Sequence, residues 1–242
     1  MTTLLLVHAF PLDASMWDPQ RESLDAEATI LAPSVPGFGG TPAGGDILTM
    51  DAIADFLAGE LDRAGVERAV VCGLSMGGYA TFALWRRHRA RIAGLVLADT
   101  RATPDDDDGK ERRRGLAERV RAEGPGAAAE ALLPALLSET AEMTLREQVR
   151  QIILRQPAEA IAAASLGMAE RSDSRPLLAE IDAPTAIIVG ADDALTPPPA
   201  SKEMADAIPG AELTIIESAG HLSNLEQPGP FTAAVGALLE RV

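Results

Sequence analysis

Short apolar runs alternate with helix-periodic stretches along this chain, and that alternation restricts the fold more than any other feature. The runs cover residues 3–9, 29–35, 69–74, 92–98, 183–189 and 212–216. Each has the length of a strand and little polar interruption. Helical stretches are predicted over 16–24, 50–64, 77–87, 199–207 and 231–239; in 50–64 the apolar residues Ile53, Phe56, Leu57 and Leu61 keep helical spacing. A strand that is apolar throughout buries both of its faces, so strands of this kind separated by helices predict a parallel sheet covered on both sides. The expected class is α/β, with about six mainly parallel strands and helices on both faces.

The alternation is interrupted once. Between residues 103 and 182 no convincing strand occurs, and helical segments such as 130–137 and 145–154 fill the gap. The economical reading is a helical cap at 103–182, inserted after the fourth strand into a core made of 1–102 and 183–242. The insertion opens with Asp105, Asp106, Asp107 and Asp108, followed by Arg112, Arg113 and Arg114. Such a run reads first as a solvated loop and helix face. A second reading sets Arg101 or the Arg112–Arg114 run against an anionic substrate group. Leu132, Leu133, Leu136 and Leu137 suit ordinary helix packing, with an apolar acyl pocket as the functional alternative.

The chemistry-bearing stretch is Gly73-Leu74-Ser75-Met76-Gly77, set between a strand and a helix. A serine on a sharp turn there projects its hydroxyl beyond the sheet. Glycines two positions before and after remove the side chains that would collide with the turn. The helix that follows aims its free N–H groups at the same point. As a bare pattern this arises by chance in roughly one chain in ten; the strand-to-helix setting is what gives it weight.

A serine hydroxyl needs a base, and the chain has three histidines. His88 stands at the far end of the helix after Ser75, roughly 20 Å away, and reads as a solvated or capping residue. His8 ends the first strand near the sheet's carboxyl edge. His221 follows the last strand, beyond that same edge, where ligands of parallel sheets bind; it is the expected base. The base needs an acid, and three are candidates: Asp192 and Asp193 after the fifth strand, and Asp99 after the fourth. Geometry read from sequence does not separate Asp192 from Asp193. The order serine, aspartate, histidine suits this architecture. Oxyanion donors are expected at the backbone N–H of Met76 and, in the loop after the first strand, of Phe10; Pro11 has no N–H to offer.

Net charge is −15, which argues against nucleic acid and anionic membrane surfaces as partners. No run of about 18 apolar residues predicts a membrane span. The first residues lack the pattern of a signal peptide, and Cys72, the single cysteine, sits in an apolar strand as a small core residue. A cytoplasmic location is expected. Assembly into a homo-oligomer is left open.

The stretches HAFPLDASMW, PGFGGT, GLSMGG, GADDALTPP and AGHLSNLEQP together resemble the α/β-hydrolase superfamily over essentially the whole chain. Within it, LADTRA, LLPALLS and RSDSRPLL make the chain most similar to small carboxylesterases and 3-oxoadipate enol-lactonases. The resemblance implies the α/β-hydrolase fold, with Ser75 as nucleophile, His221 as base and Asp193 as acid, and it leaves Asp192 as a turn or surface residue. It also matches Phe10 and Met76 to the oxyanion hole and implies neither metal nor organic cofactor.

Three departures from the family pattern stand out. His8 is followed by Ala9 where glycine is usual, which is expected to restrict backbone approach to substrate. Ser34 stands where an aspartate is common, which is expected to remove a polar anchor. The antiparallel edge hairpin of many relatives is expected to be missing. The resulting expectation is a serine hydrolase that cleaves a small carboxylic ester or lactone through an acyl-enzyme. The alternatives are a cofactor-free perhydrolase or haloperoxidase using the same residues, or a 3-oxoadipate enol-lactonase specifically.

Overall fold

The computed structural model describes residues 1–242. The strands are β1 (Thr2–Val7), β2 (Ala28–Leu31), β3 (Ala69–Leu74), β4 (Ile92–Ala98), β5 (Thr185–Gly190) and β6 (Glu212–Ile216). They form one six-stranded sheet in the order β2-β1-β3-β4-β5-β6, and every pairing is parallel. Every residue of β3 and of β5 is buried. Because successive side chains point to opposite faces, both faces must be covered. On the core, α1 (Asp18–Leu24), α2 (Met50–Arg63), α3 (Met76–His88), α9 (Pro198–Ala207), α10 (Ser223–Glu226) and α11 (Pro228–Leu239) do this. α3 packs on β1, β3 and β4 with α2 against it; α11 packs on β4 and β5 with α1 against it. The edge strands β2 and β6 are only partly buried.

α2 shows how the sequence makes one of these layers. Thr49 caps it by accepting from Ala52 N–H at 3.1 Å. Asp51 stands in the first turn and Arg63 in the last, each on the side the helix dipole favours. Met50, Ile53, Ala54, Leu57, Ala58 and Leu61 make the buried stripe. No helix is long and apolar enough to cross a membrane.

Between β4 and β5 lie five helices and no strand: α4 (Asp107–Glu123), α5 (Pro125–Leu136), α6 (Met143–Leu154), α7 (Ala158–Ala169) and α8 (Arg175–Leu178). Their buried apolar side chains, among them Val120, Leu136, Val149 and Ile161, continue the core that fills the sheet region. Leu136 and Leu137 are buried in it, and Leu132 and Leu133 pack partly buried against it.

A solvated loop and helix face are expected for the whole acidic run; Asp106 to Asp108 form such a helix start, and Asp105 departs from it. Asp106 caps α4 by accepting from Gly109 N–H at 2.7 Å. Asp107 and Asp108 sit exposed in the first turn. Asp105 is instead buried and accepts from Arg101 at 2.5 Å, from Arg171 at 2.6 and 2.9 Å, and from Arg113. Arg101 and Arg113 are thus engaged by Asp105. Arg112 and Arg114 are directed at Asp106 and Glu111 on the surface.

Two predicted strands end early. β1 stops at Val7 and β2 at Leu31. Pro33 has no N–H for a ladder, and Val35 N–H goes to His8 Nε2 at 3.0 Å rather than to a strand.

Candidate active site

The strand order reverses between β1 and β3: the chain moves outward from β1 to β2, then returns to place β3 on the other side of β1. Loops leaving such a switch point diverge and open a crevice at the carboxyl edge. The register aligns Val7 with Gly73, Leu74 with Ala98 and Gly190 with Ile216. The segments that follow β1, β3, β4, β5 and β6 therefore leave the sheet along one edge. They carry Phe10, Ser75, Asp99, Asp193 and His221.

Ser75 is the residue between β3 and α3, at φ 57° and ψ −113°. A non-glycine residue in this region stores roughly 1–3 kcal/mol of strain and needs a surrounding that over-determines it. That surrounding is visible. Ser75 N–H donates to Ala98 O at 2.9 Å. Ser75 O accepts from Thr100 Oγ1 and from Gly78 N–H, both at 2.9 Å. A Cβ at Gly77 would overlap the Val7 carbonyl, so the turn closes against β1 only with glycine there.

His221 and Asp193 are buried, and Ser75 is half-buried. Ser75 Oγ lies 2.7 Å from His221 Nε2, and His221 Nδ1 lies 2.8 Å from Asp193 Oδ2. These partners assign the tautomer: Nδ1–H donates to the carboxylate, and Nε2 is left to accept from the hydroxyl. Asp193 also accepts from Leu195 N–H at 2.8 Å, Thr196 N–H at 3.0 Å and Thr196 Oγ1 at 2.7 Å. Burial pushes its carboxyl up, but His221 and these donors outweigh burial and hold it below the usual carboxylate value. Asp192 is exposed and its N–H donates to Ala219 O at 2.9 Å.

Asp99 faces neither nitrogen of His221. Its carboxyl accepts from Gly190 N–H at 2.8 Å and Ser223 Oγ at 2.5 Å, and so joins the ends of β4 and β5 to the segment after His221. Burial, with Asp193 nearby, pushes it well above the ordinary carboxylate value. His8 is fully buried; Nδ1 donates to Ala9 O at 2.9 Å while Nε2 accepts from Val35 N–H. Burial lowers it to about 4, so it is a neutral strut. His88 pairs with Asp55 on α2 at 2.7 Å, far along α3.

Phe10 lies in the turn closed by Leu12 N–H donating to Ala9 O at 2.9 Å, and Met76 opens α3. First-turn N–H groups have no partner within their own helix. Asp13 anchors the Phe10 loop. It is buried and accepts from Arg155 twice at 2.9 Å and from Gln156 Nε2 at 2.7 Å; Gln156 Oε1 in turn accepts from Gly39 N–H at 3.0 Å. The polar anchor expected to be lost with Ser34 is supplied by its hydroxyl, which accepts from Ala14 N–H at 3.1 Å. No group of three or more His, Cys, Asp or Glu side chains is placed to hold a metal ion.

Sequence reading did not single out Thr196, Ser223 or Glu226. All three sit inside the quoted stretches GADDALTPP and AGHLSNLEQP, close in sequence to Asp193 and His221, which was the available signal.

Comparison with known proteins bears on the fold and the family. The model of the alpha/beta hydrolase family matches residues 4–235. A thermophilic esterase from Thermogutta terrifontis, solved with malate bound, superposes with a TM-score of 0.97 at 46% identity, over 100% of this chain and 90% of that one. The enol-lactonase from Burkholderia xenovorans LB400 superposes with a TM-score of 0.91 at 30% identity, over 99% and 91% of the two chains. A pimeloyl-[acyl-carrier protein] methyl ester esterase from Aromatoleum aromaticum is 31% identical over 93% of each chain.

Proposed function

The chain belongs to the alpha/beta hydrolase family and is a carboxylic ester hydrolase, and from that premise we propose that Ser75, His221 and Asp193 cleave a small ester or lactone through an acyl-enzyme. The single observation that carries this reading is the unbroken path from Ser75 Oγ to His221 Nε2 at 2.7 Å and from His221 Nδ1 to Asp193 Oδ2 at 2.8 Å. Ser75 Oγ attacks the carbonyl carbon as its proton passes to His221 Nε2. The imidazolium is stabilised by the Asp193 carboxylate. The Phe10 and Met76 N–H groups face the oxygen on which negative charge develops. His221 then gives its proton to the leaving alcohol oxygen, takes one from a water whose oxygen bonds the acyl carbon, and returns that proton to Ser75 Oγ as the acyl–Oγ bond breaks and the acid leaves. In a lactone the leaving oxygen stays on the acyl chain, so one hydroxy acid is released.

Residues 103–182 act in this reading as a cap over the crevice. Arg155 and Gln156, at the end of α6, reach the Phe10 loop through Asp13, which supports that placement. Similarity to an esterase and to an enol-lactonase supports both substrate classes. The test is Ser75→Ala with a short-chain p-nitrophenyl ester. The variant is expected to lose about 10⁴- to 10⁶-fold in kcat while a fluorophosphonate labels only the parent. Turnover that survives the substitution refutes the assignment.

A further inference from the structure

The residues on both sides of His221 have their backbone N–H groups held by other elements. Leu222 N–H donates to Leu136 O, at the end of α5, at 3.0 Å. Gly220 N–H donates to Glu226 Oε1 at 2.8 Å. Glu226 is half-buried, and the same carboxylate accepts from Ser138 N–H at 3.2 and 3.1 Å and from Ser138 Oγ–H at 2.5 Å. Ser138 is fixed in turn by Arg146, which donates to its carbonyl oxygen. Gly220 is glycine because a Cβ there would come within 2.5 Å of Ser138 N. Ala219 O accepts from Asp192 N–H at 2.9 Å, so a shift of the 219–221 backbone reaches Asp193 as well as His221.

We propose that Glu226 is a positioning residue for ester cleavage: its carboxylate ties the Gly220 peptide to Ser138 and so sets where the His221 imidazole stands between Ser75 and Asp193. This rests on the reading of Ser75, His221 and Asp193 given above. Glu226 touches none of the reacting atoms. It acts through one backbone N–H adjacent to the base, and misplacement of a catalytic group by about 1 Å is worth as much as 10²-fold in rate. Reach matters here more than charge. Oε1 is shared by Gly220 N–H and Ser138 N–H, and Oε2 takes Ser138 Oγ–H and Ser138 N–H; one group spans the two segments.

Two variants separate reach from charge. Glu226→Gln keeps one oxygen, which Gly220 N–H and Ser138 N–H both already reach at Oε1, and sets its amide against the Ser138 hydroxyl, which can accept. Glu226→Asp keeps the charge but is one methylene too short to bridge both partners. Both are compared with the parent in kcat and KM for a short-chain p-nitrophenyl ester, with thermal unfolding recorded in parallel. Glu226→Asp is expected to lower kcat roughly 10- to 100-fold with KM within about twofold, and Glu226→Gln to stay within about threefold of the parent. A folded Glu226→Asp at the parent rate, a loss confined to KM, or a Glu226→Gln slower than Glu226→Asp overturns the proposal. If Glu226→Asp does not fold, Ser138→Ala takes its place: it deletes the hydroxyl bond to Oε2, a fall in kcat is expected, and the parent rate refutes. A parent whose turnover survives Ser75→Ala overturns the underlying reading instead, so the two failures are told apart.

Discussion

Acidification tests the placement of His8 directly. In the unfolded chain a histidine takes up its proton near its ordinary value of 6.5; in the folded chain burial lowers His8 to about 4. Between those values the unfolded chain binds the proton and the folded one does not, so stability falls as pH drops. The displacement converts to about 2 kcal/mol lost by pH 5 and about 3 kcal/mol by pH 4. Asp99 works the other way. Its carboxyl is raised, so the folded chain binds that proton first and gains stability as pH falls. Asp13 and Asp105, held below the usual carboxylate value, lose their stabilisation only as pH falls below about 4.

The clean measurement is therefore a difference. Urea unfolding of the parent and of His8→Gln is followed from pH 7.5 to pH 5. The glutamine side chain of this variant has an N–H for Ala9 O and an oxygen for Val35 N–H but no proton to gain. The parent's advantage over the variant should shrink by about 2 kcal/mol across that range. Two curves that stay parallel refute the reasoning.

Asp105→Asn leaves three guanidiniums around a neutral amide where the parent has a carboxylate. It is expected to lower the unfolding free energy by about 3–5 kcal/mol, as removal of one partner of a buried ion pair does; a loss under about 1 kcal/mol in urea unfolding counts against it. Cys72 is fully buried on β3 and burial pushes its thiol up, so Ellman's reagent should leave the folded protein unlabelled and react fully once urea unfolds it; prompt labelling of folded protein refutes this.

The parallel sheet was legible because its central strands are apolar along most of their length. The residues 69–74 are buried throughout, and nothing in their composition fits another role. Strand ends were less legible. His8 and Val35 look apolar enough in context to extend β1 and β2, but they bond to each other across the carboxyl edge, a tertiary choice that local pattern does not encode. That Ser75 and His221 meet could be expected from spacing and position. Asp193 could not be separated from Asp192 by spacing alone, because adjacent residues on a turn face opposite ways and only the fold shows which way is inward; family resemblance supplied what geometry could not. Asp105 was hidden by its neighbours: Asp106, Asp107 and Asp108 are the cap and first turn of a helix, and four identical letters conceal one with a buried role. Glu226 was hidden because its partner Ser138 lies 88 residues away in the chain.

The bond from Asp13 to Arg155 and Gln156 bears on how a family like this can diversify. Helical insertions of this kind invite treatment as exchangeable parts, to be traded between relatives as a unit. Here the donors on the insertion and the carboxylate on the Phe10 loop form one joint. A foreign insertion without the Arg155-Gln156 pair would leave Asp13 as a buried carboxylate short of its charged partner, beside the loop that carries Phe10. An exchange of the insertion keeps this joint only if the donors at 155 and 156 and the carboxylate at 13 travel together.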